Sequence, residues 1–588
     1  MVSTMGMTHW WQQANFYQIY PRSFLDTNGD GIGDLKGITR KLDYLKDLGI
    51  DAIWLCPIYD SPNDDNGYDI RDYYRVHHEF GSMKDMDHLI AEMNGRGMKL
   101  VMDLVVNHCS DEHDWFRKAR VSRDDPYHDY FIWHPGRNLD ESSAPGSPIP
   151  PEPNNWASHF RGSAWEWNEA TREYYLHLFS RKQPDLNWEN PALRQDIYKM
   201  MRFWLDKGAA GFRMDVINYI SKDPDFPDVP AREGQRYVHD SRYYANRART
   251  HEHLQEMHRE VLSKYPECMT IGEMHQTPVD EGIRYVHPDR RELSMIFQFE
   301  HLGIDNGPAG KYDVPCTWDL PRLKQTLRTW QEGLSGKGWN SLYTGNHDQP
   351  RMVSRLGVTD GKKMRRRSAK AIAASFLLMQ GSPFVYQGEE IGMTNVAFPD
   401  IDSYRDIETL NYYREAVSDG LSEPKALRVV HLRSRDNART PMQWSTDAHG
   451  GFTTGVPWIS LNPNYPDINV RNESRESDGV HSFYRSLLRM RRNDPIWTQG
   501  TCEDLAPEHQ QIIAYARRMD DGSAVYVVVN LSARDASWDV PAELSEACAN
   551  GSVLLASPLS SDEKASLTKL LPMQVMVISP LPAGSSAS

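Results

Sequence analysis

The sequence predicts a (β/α)8 barrel, the TIM barrel, with an inserted domain after strand 3 and a C-terminal antiparallel β-sandwich domain. Three observations carry this. Eight short apolar runs occur along the chain, most of them separated by segments of helical period. Two connections after such runs are too long to be plain loops. Beyond about residue 498 the runs continue without the helical pattern.

In chain order the strand candidates are "NFYQIYP", "DAIWLCP", "MKLVMDLVVNH", "AGFRMDVI", "CMTIGEM", "SMIFQF", "WNSLYTGNHD" and "PFVYQGEE". Helical spacing is read over 35–48 (Leu35, Ile38, Leu42, Leu45), 83–97, 191–208, 251–264, 320–334 and 363–380. Residues 1–108 form the first part of the barrel, and 109–190 the inserted domain, with the Pro-rich "ESSAPGSPIPPEPNNW" as a surface excursion. The barrel resumes over 191–497, with a long insertion at about 388–460 that carries "SRDNARTPMQW". Residues 498–588 form the C-terminal domain, with strands "QQIIAYARRM", "SAVYVVVNL", "SVLLAS" and "MQVMVIS", no intervening helices, and a frayed tail "PLPAGSSAS".

Composition bounds the function. The chain has 588 residues, 39% hydrophobic and 25% charged, which permits a large core. Its 17 Trp and 28 Tyr, beside 17 Phe, suit either that core or flat polar ligands with apolar faces, such as sugars. A net charge of −15 argues against nucleic acid or an anionic membrane as partner. The six cysteines, at 56, 109, 268, 316, 502 and 548, include no CxxC pair and read as reduced thiols of a cytoplasmic protein. "MVSTMGMTHWWQQANF" lacks a basic region followed by an apolar run, and no 18-residue apolar stretch occurs, so no membrane association is expected.

On a barrel, polar groups at the C-terminal strand ends converge on one mouth. Here these are Asp103, Asn107 and His108 after strand 3, Arg213 and Asp215 on strand 4, Glu273 on strand 5, and His347 with Asp348 after strand 7. A single such carboxylate is more often a helix cap or a salt-bridge partner. Three on separate strands, with two histidines and an arginine, point to a site. No HExxH or close histidine pair suggests a catalytic metal. Arg213 stands two residues before Asp215, on the same strand face, and is expected to keep that carboxylate ionised, as a nucleophile requires. Glu273 has apolar sequence neighbours, which are expected to raise its pKa and suit a general acid. Such a pair is the equipment of glycoside hydrolysis. Carboxyls about 5–5.5 Å apart imply retention.

One further stretch is "DTNGDGIGD", Asp26–Asp34. Asp26, Asn28 and Asp30 fall at positions 1, 3 and 5 of an EF-hand loop, with Gly31 at 6 and Asp34 at 9. Position 12 is Gly37, where an EF-hand needs Glu, and a strand-like "FYQIYPRSF" precedes the loop. The stretch fits an EF-hand poorly, and a loop holding a cation stays open.

"DLVVNH", "GFRMDVIN", "TIGEM" and "NHDQPR", in that order and spacing, resemble the four short conserved regions of the α-amylase superfamily of glycoside hydrolases, and "QPDLNW" (183–188) resembles its fifth. The resemblance spans almost the whole chain. "SPNDDNGYDI", "SRDNARTPMQW" and "YQGEEIGMTN" are similar to bacterial oligo-1,6-glucosidases and α-glucosidases. It implies Asp215 as nucleophile, Glu273 as acid/base and Asp348 as transition-state stabiliser. His108, His347 and Arg213 would bond the same glucose or orient the carboxylates. Asp65 and Arg435 would close the non-reducing end, Tyr68 would stack on the sugar, and Phe160 and Phe179 would line the pocket. For the aromatics, plain core packing is the other reading. Val216, in "MDVIN", is the form seen in α-1,6-active relatives, where α-1,4-active ones carry Ala or Thr. An Arg-rich "RLDRD"-like loop of sucrose isomerases has no counterpart in "KYDVPCTWDLPRLKQ", which favours hydrolysis. "LYTGNHD" departs from the pattern at Thr344 and Gly345, which leaves subsite details around Asp348 open. Scaffold heavy chains of amino-acid transporters share the resemblance but carry a transmembrane helix. The resemblance implies no cofactor for catalysis and a structural Ca2+ or Mg2+ held by Asp26, Asn28, Asp30, Asp34 and the Ile32 carbonyl. The expected partner is a small oligosaccharide, for a monomer or weak homo-oligomer.

Overall fold

The computed structural model describes residues 9–137, 149–308, 310–314, 317–558 and 567–580. Residues 138–148, which hold the first half of the Pro-rich excursion, Cys316 and tail residues 581–588 lie outside them. All eight strand candidates are strands of one sheet: β1 (Phe16–Ile19), β2 (Ala52–Leu55), β3 (Lys99–Val105), β4 (Gly211–Asp215), β5 (Met269–Met274), β6 (Met295–Gln298), β7 (Ser341–Tyr343) and β8 (Ser382–Tyr386). Their spatial order is 6-5-4-3-2-1-8-7, and every neighbouring pair is parallel. A parallel bridge from Ile296 to Asn340 joins β6 to β7 and closes the barrel. All strand residues are buried except Lys99, at the start of β3.

Helices cover the outside where local signals place them. The helix Pro191–Lys207 starts on the Asn190 cap with Pro191 in its first turn and stops at Gly208, whose φ of 112° suits a residue without Cβ. Ser82 and Asp85 form a capping box on Met83–Gly95. The segment 35–48 is two helices, Leu35–Arg40 and Leu42–Leu48, broken at Lys41. The 251–264 pattern is an α-helix, Ala248–Glu260, followed by a 3-10 turn, Leu262–Lys264. A short helix between β5 and β6, Val279–Val286, was not anticipated.

Between β3 and the Pro191 helix lies a small antiparallel sheet of Trp133–His134, Glu173–Leu176 and Trp165–Asn168. At the C-terminus, β9 (Thr501–Asp504), β10 (Ile512–Arg518), β11 (Ala524–Asn530), β12 (Ser552–Ser557) and β13 (Val575–Ser579) form an antiparallel sheet in the order 9-10-11-13-12. A two-stranded ribbon, Ala536–Ser537 with Lys569–Leu570, accompanies it. Period-2 alternation divides its faces. Ile513, Tyr515, Val525 and Val527 join the barrel core, whereas Ala514, Tyr526 and Val528 pack with Leu544 and Leu570. The expectation of strands without helices needs correction, because the helix Ala542–Asn550 lies between β11 and β12. Among the described residues no helix is long and apolar enough to cross a membrane.

Candidate active site

The C-terminal strand ends deliver their polar groups to one place, and a single guanidinium organises them. Arg213 is 1% exposed. Its Nη1 lies 2.9 Å from Asp103 and 2.8 Å from Asp215, and its Nη2 lies 2.6 Å from Glu273. Parallel register fixes this meeting, since β4 pairs with β3 at Asp103↔Arg213 and with β5 at Arg213↔Ile271. Asp103 also accepts from Trp54 Nε1 and the Tyr68 hydroxyl, each at 3.0 Å.

The chain turns abruptly after Asp215. Val216 has φ 34° and ψ 41°, a left-handed conformation costly for a β-branched residue, and caps the single 3-10 turn Ile217–Tyr219. Its amide donates to Glu273 Oε2 at 3.1 Å. The strained residue thereby ties the β4 end to the β5 carboxylate.

The ionisation pattern corrects the sequence reading. Burial drives Asp215 well above the ordinary carboxylate range, with Glu273 and Asp103 opposing the pull of Arg213. Burial pushes Glu273 up too, but Arg213 and His275 outweigh it and hold the group down at about 2. Asp215 is thus held up and Glu273 held down by the same guanidinium and by burial. The apolar sequence neighbours of Glu273 do not set its pKa, because the guanidinium reaches it through space.

Opposite this pair stands Asp348. Its carboxylate accepts from Arg439 Nη2 at 2.7 Å and Arg435 Nη1 at 3.1 Å, and His347 Nε2 lies 3.1 Å away. These partners overcome the upward push of burial and hold Asp348 well below the usual range. Burial lowers His347 to about 3 and His108 to about 4, so both are neutral at pH 7. Arg435 reaches from the β8 insertion to Asp65 at 3.0 Å, after β2, and to Asp406 at 2.6 Å. Asp65 stays high, at about 6, because burial outweighs Arg435 and Arg439. Phe160 lies under the Arg435 guanidinium at 5.0 Å and against Phe179, which meets His108 at 5.1 Å. The Tyr68 ring stacks on His347 at 5.1 Å with 5° between planes, so one of its faces is already covered.

The nucleophile, acid, stabiliser and pocket residues read from sequence are thus linked by contacts into one set, buried except for the half-buried Asp348 and Phe179. Arg439, Asp406 and Gln183 were not singled out. Gln183 Nε2 donates to Asp65 and to the Tyr68 carbonyl, each at 3.3 Å. Arg439 and Gln183 stand inside the quoted motifs "SRDNARTPMQW" and "QPDLNW", which is the signal that could have found them. Asp406 had none.

The loop Asp26–Asp34 is elsewhere and is largely self-satisfied. Asp26 accepts from the amides of Asn28, Gly29 and Gly31, Asp30 from that of Ile32, and Asp34 caps the following helix through Gly37. Among the described residues no group of three or more His, Cys, Asp or Glu is placed to hold a metal ion. The donor set itself, oxygen throughout, is of the hard kind that Ca2+ and Mg2+ select.

The α-amylase catalytic-domain family model matches residues 18–500. The chain is 54% identical over 533 residues to the oligo-1,6-glucosidase of Parageobacillus thermoglucosidasius, covering 90% of this chain and 92% of the relative. Among solved structures, Bacillus licheniformis trehalose-6-phosphate hydrolase is 43% identical, with a TM-score of 0.87 and coverage of 97% and 99%. The isomaltulose synthase of Klebsiella sp. LX3 is 39% identical, with a TM-score of 0.88 and coverage of 98% and 100%. The chain belongs to the α-amylase family and is a glycoside hydrolase.

Proposed function

We propose that this α-amylase-family enzyme is a retaining, exo-acting α-glucosidase that removes terminal α-1,6-linked glucose from isomaltose and short isomalto-oligosaccharides. The observation that carries it is the buried set Asp215–Arg213–Glu273 facing Asp348, with Arg435 bridging Asp348 to Asp65 and shutting one end. Several relatives about half identical over most of the chain, among them those of Parageobacillus thermoglucosidasius and Bacillus cereus, are oligo-1,6-glucosidases.

Asp215 attacks the anomeric carbon while Glu273 gives its proton to the leaving oxygen, so the glycosidic bond breaks as an ester to Asp215 forms. Glu273 then takes a proton from water, the water oxygen bonds to the anomeric carbon, and the ester breaks with overall retention. This requires the pair's proton on Glu273. The glycosidic oxygen only accepts a hydrogen bond, so a bound sugar favours the form with the proton on Glu273, whose hydroxyl donates to it, while Arg213 neutralises Asp215. Asp348, kept ionised by two arginines, bonds the hydroxyls of the distorted ring.

Initial rates on isomaltose, maltose, sucrose, trehalulose and trehalose 6-phosphate test the reading. Fastest cleavage of isomaltose is expected. Much faster maltose cleavage would make the chain an α-1,4 enzyme, and conversion of sucrose to an isomer would make it an isomerase. The hard-oxygen donors of Asp26, Asn28, Asp30, Ile32 and Asp34 support a structural Ca2+ or Mg2+ there, apart from the chemistry. The scattered free thiols support a cytoplasmic location.

A further inference from the structure

Both arginines that grip Asp348 come from one short helix and its cap, Arg435 to Arg439, in the insertion after β8. A helix of one turn has no core of its own, so its position depends on what holds its backbone. The Ala438 carbonyl accepts from the Tyr386 hydroxyl at 2.8 Å and from Arg351 Nη2 at 3.1 Å. The next carbonyl, that of Arg439, accepts from Ser23 Oγ at 2.6 Å. Ser23 follows β1 in the 3-10 turn Pro21–Ser23 and is fully buried. Its own carbonyl accepts from the Met442 amide at 2.8 Å. One serine therefore holds the chain at both 439 and 442. From there the Arg439 side chain runs over the Tyr20 ring at 5.6 Å, donates to the His347 carbonyl at 3.0 Å and ends on Asp348.

The Ser23 hydroxyl is oriented in turn. It accepts from Trp458 Nε1 at 3.0 Å, which leaves its proton for the Arg439 carbonyl. Trp458 is held by the loop Asp26–Asp34. The Gly31 carbonyl accepts from the Trp458 amide at 3.0 Å, the Asp26 amide donates to the Phe452 carbonyl at 3.0 Å, and Thr453 Oγ1 donates to the Asp26 carboxylate. The backbones meet so closely that a Cβ on Gly31 (φ 90°) would lie 1.8 Å from the Val456 carbonyl oxygen. The glycines of "DTNGDGIGD" thus make a seat for the strand of chain that carries Trp458.

We propose that Ser23 is a positioning residue for catalysis, acting through Arg439 on Asp348, and that the Asp26–Asp34 loop holds Trp458 in place to orient it. This rests on the reading of Asp348 as transition-state stabiliser. A slackened Arg439 leaves ground-state binding largely intact and misplaces a charge needed in the transition state.

The test is Ser23→Ala, assayed with p-nitrophenyl α-glucoside beside a thermal melt. A kcat lower by about tenfold to a hundredfold is expected, with KM moved by less than about threefold. In an Arg439→Ala background, Ser23→Ala should change kcat no further. Thr39→Ala, which removes another hydroxyl-to-carbonyl bond, inside the Leu35–Arg40 helix, should leave kcat unchanged. Parental kcat in folded Ser23→Ala, a KM that moves as far as kcat, or effects of Ser23 and Arg439 that simply add, overturn the proposal. Should Ser23→Ala not fold, Trp458→Phe removes the N–H to Ser23 and keeps an aromatic ring at that position. Its kcat and KM are then judged by the same criteria. Asp348→Asn separates the two readings. If it retains near-parental kcat, the role of Asp348 fails; if it is inactive while Ser23→Ala is normal, only the present inference fails.

Discussion

Arg435→Lys should be the most informative single substitution in the pocket. The guanidinium is buried and hydrogen-bonds three carboxylates, Asp65 at 3.0 Å, Asp348 at 3.1 Å and Asp406 at 2.8 Å, with Glu408 at 3.6 Å and Phe160 beneath its plane. A lysine offers one nitrogen where arginine offers a planar fork, so it can serve the nearest partner, Asp406, and must release the other two. A buried bond to a charged group is worth about 1.5–3 kcal/mol. Two of them at the lower value come to about 3 kcal/mol, a fall of roughly 150-fold in kcat/KM. The sign of the pH effect follows as well. Asp65 titrates at about 6 with Arg435 in place, and burial pushes it higher without that charge. The variant should hold Asp65 neutral further up the pH scale, and its KM should rise most below pH 7. Initial rates on p-nitrophenyl α-glucoside between pH 5 and 8, beside a thermal melt to establish folding, measure this. A folded variant with kcat/KM within about fivefold of the parent and an unmoved KM profile would refute the clamp.

Three further outcomes follow from the same geometry. Asp215→Asn should lower kcat by about 10⁴-fold or more, because the ester cannot form; near-normal turnover in single-turnover and steady-state assays would exclude double displacement. In the unsubstituted enzyme Asp65, raised to about 6, is neutral below that pH and ionised above it, so KM should rise by about tenfold between pH 7 and pH 5, and Asp65→Asn should flatten that profile. A KM constant over that range would remove Asp65 from sugar binding. Treatment with EDTA should lower the melting temperature by a few degrees, restored by Ca2+ or Mg2+, with kcat measured below the transition largely retained; an unchanged melt would leave the Asp26–Asp34 loop without a cation.

The barrel was legible because parallel strands buried on both faces are mostly apolar, and the eight runs are so apart from the few polar residues, such as Asp103, Arg213 and Glu273, that face the site. The helix Leu320–Leu334 was legible to the residue because its Asp319 cap and apolar spacing agree. What escaped is short or long-range. Val279–Val286 carries apolar residues at 279, 283 and 286, the helical spacing, but its eight residues fall short of the roughly ten that separate a helix from a short apolar run, and Ala542–Asn550 is rich in Ala and Glu with little apolar contrast. Lys41 breaks 35–48 without any Gly or Pro at the break. In the site, residues fixed by β-strand ends could be placed by counting. Asp406 could not, since it meets Arg435 only through the fold of a long insertion.

The protonation of Asp215 and Glu273 shows why sequence proximity misleads about electrostatics. Two residues of separation place Arg213 beside Asp215, which by itself predicts an ionised Asp215. In the barrel, register carries β5 alongside β4, and the second nitrogen of the same guanidinium lies closer to Glu273 than the first does to Asp215. The Val216 amide, set by a strained turn, adds a donor to Glu273 alone. A field shared by two carboxylates favours whichever collects more donors, here Glu273. A glycosidic oxygen can only accept a hydrogen bond, so the form of Glu273 that can serve it is the protonated one. In the proposed mechanism an entering sugar therefore favours the proton on Glu273 while Arg213 balances Asp215, which couples the general acid to occupancy of the site.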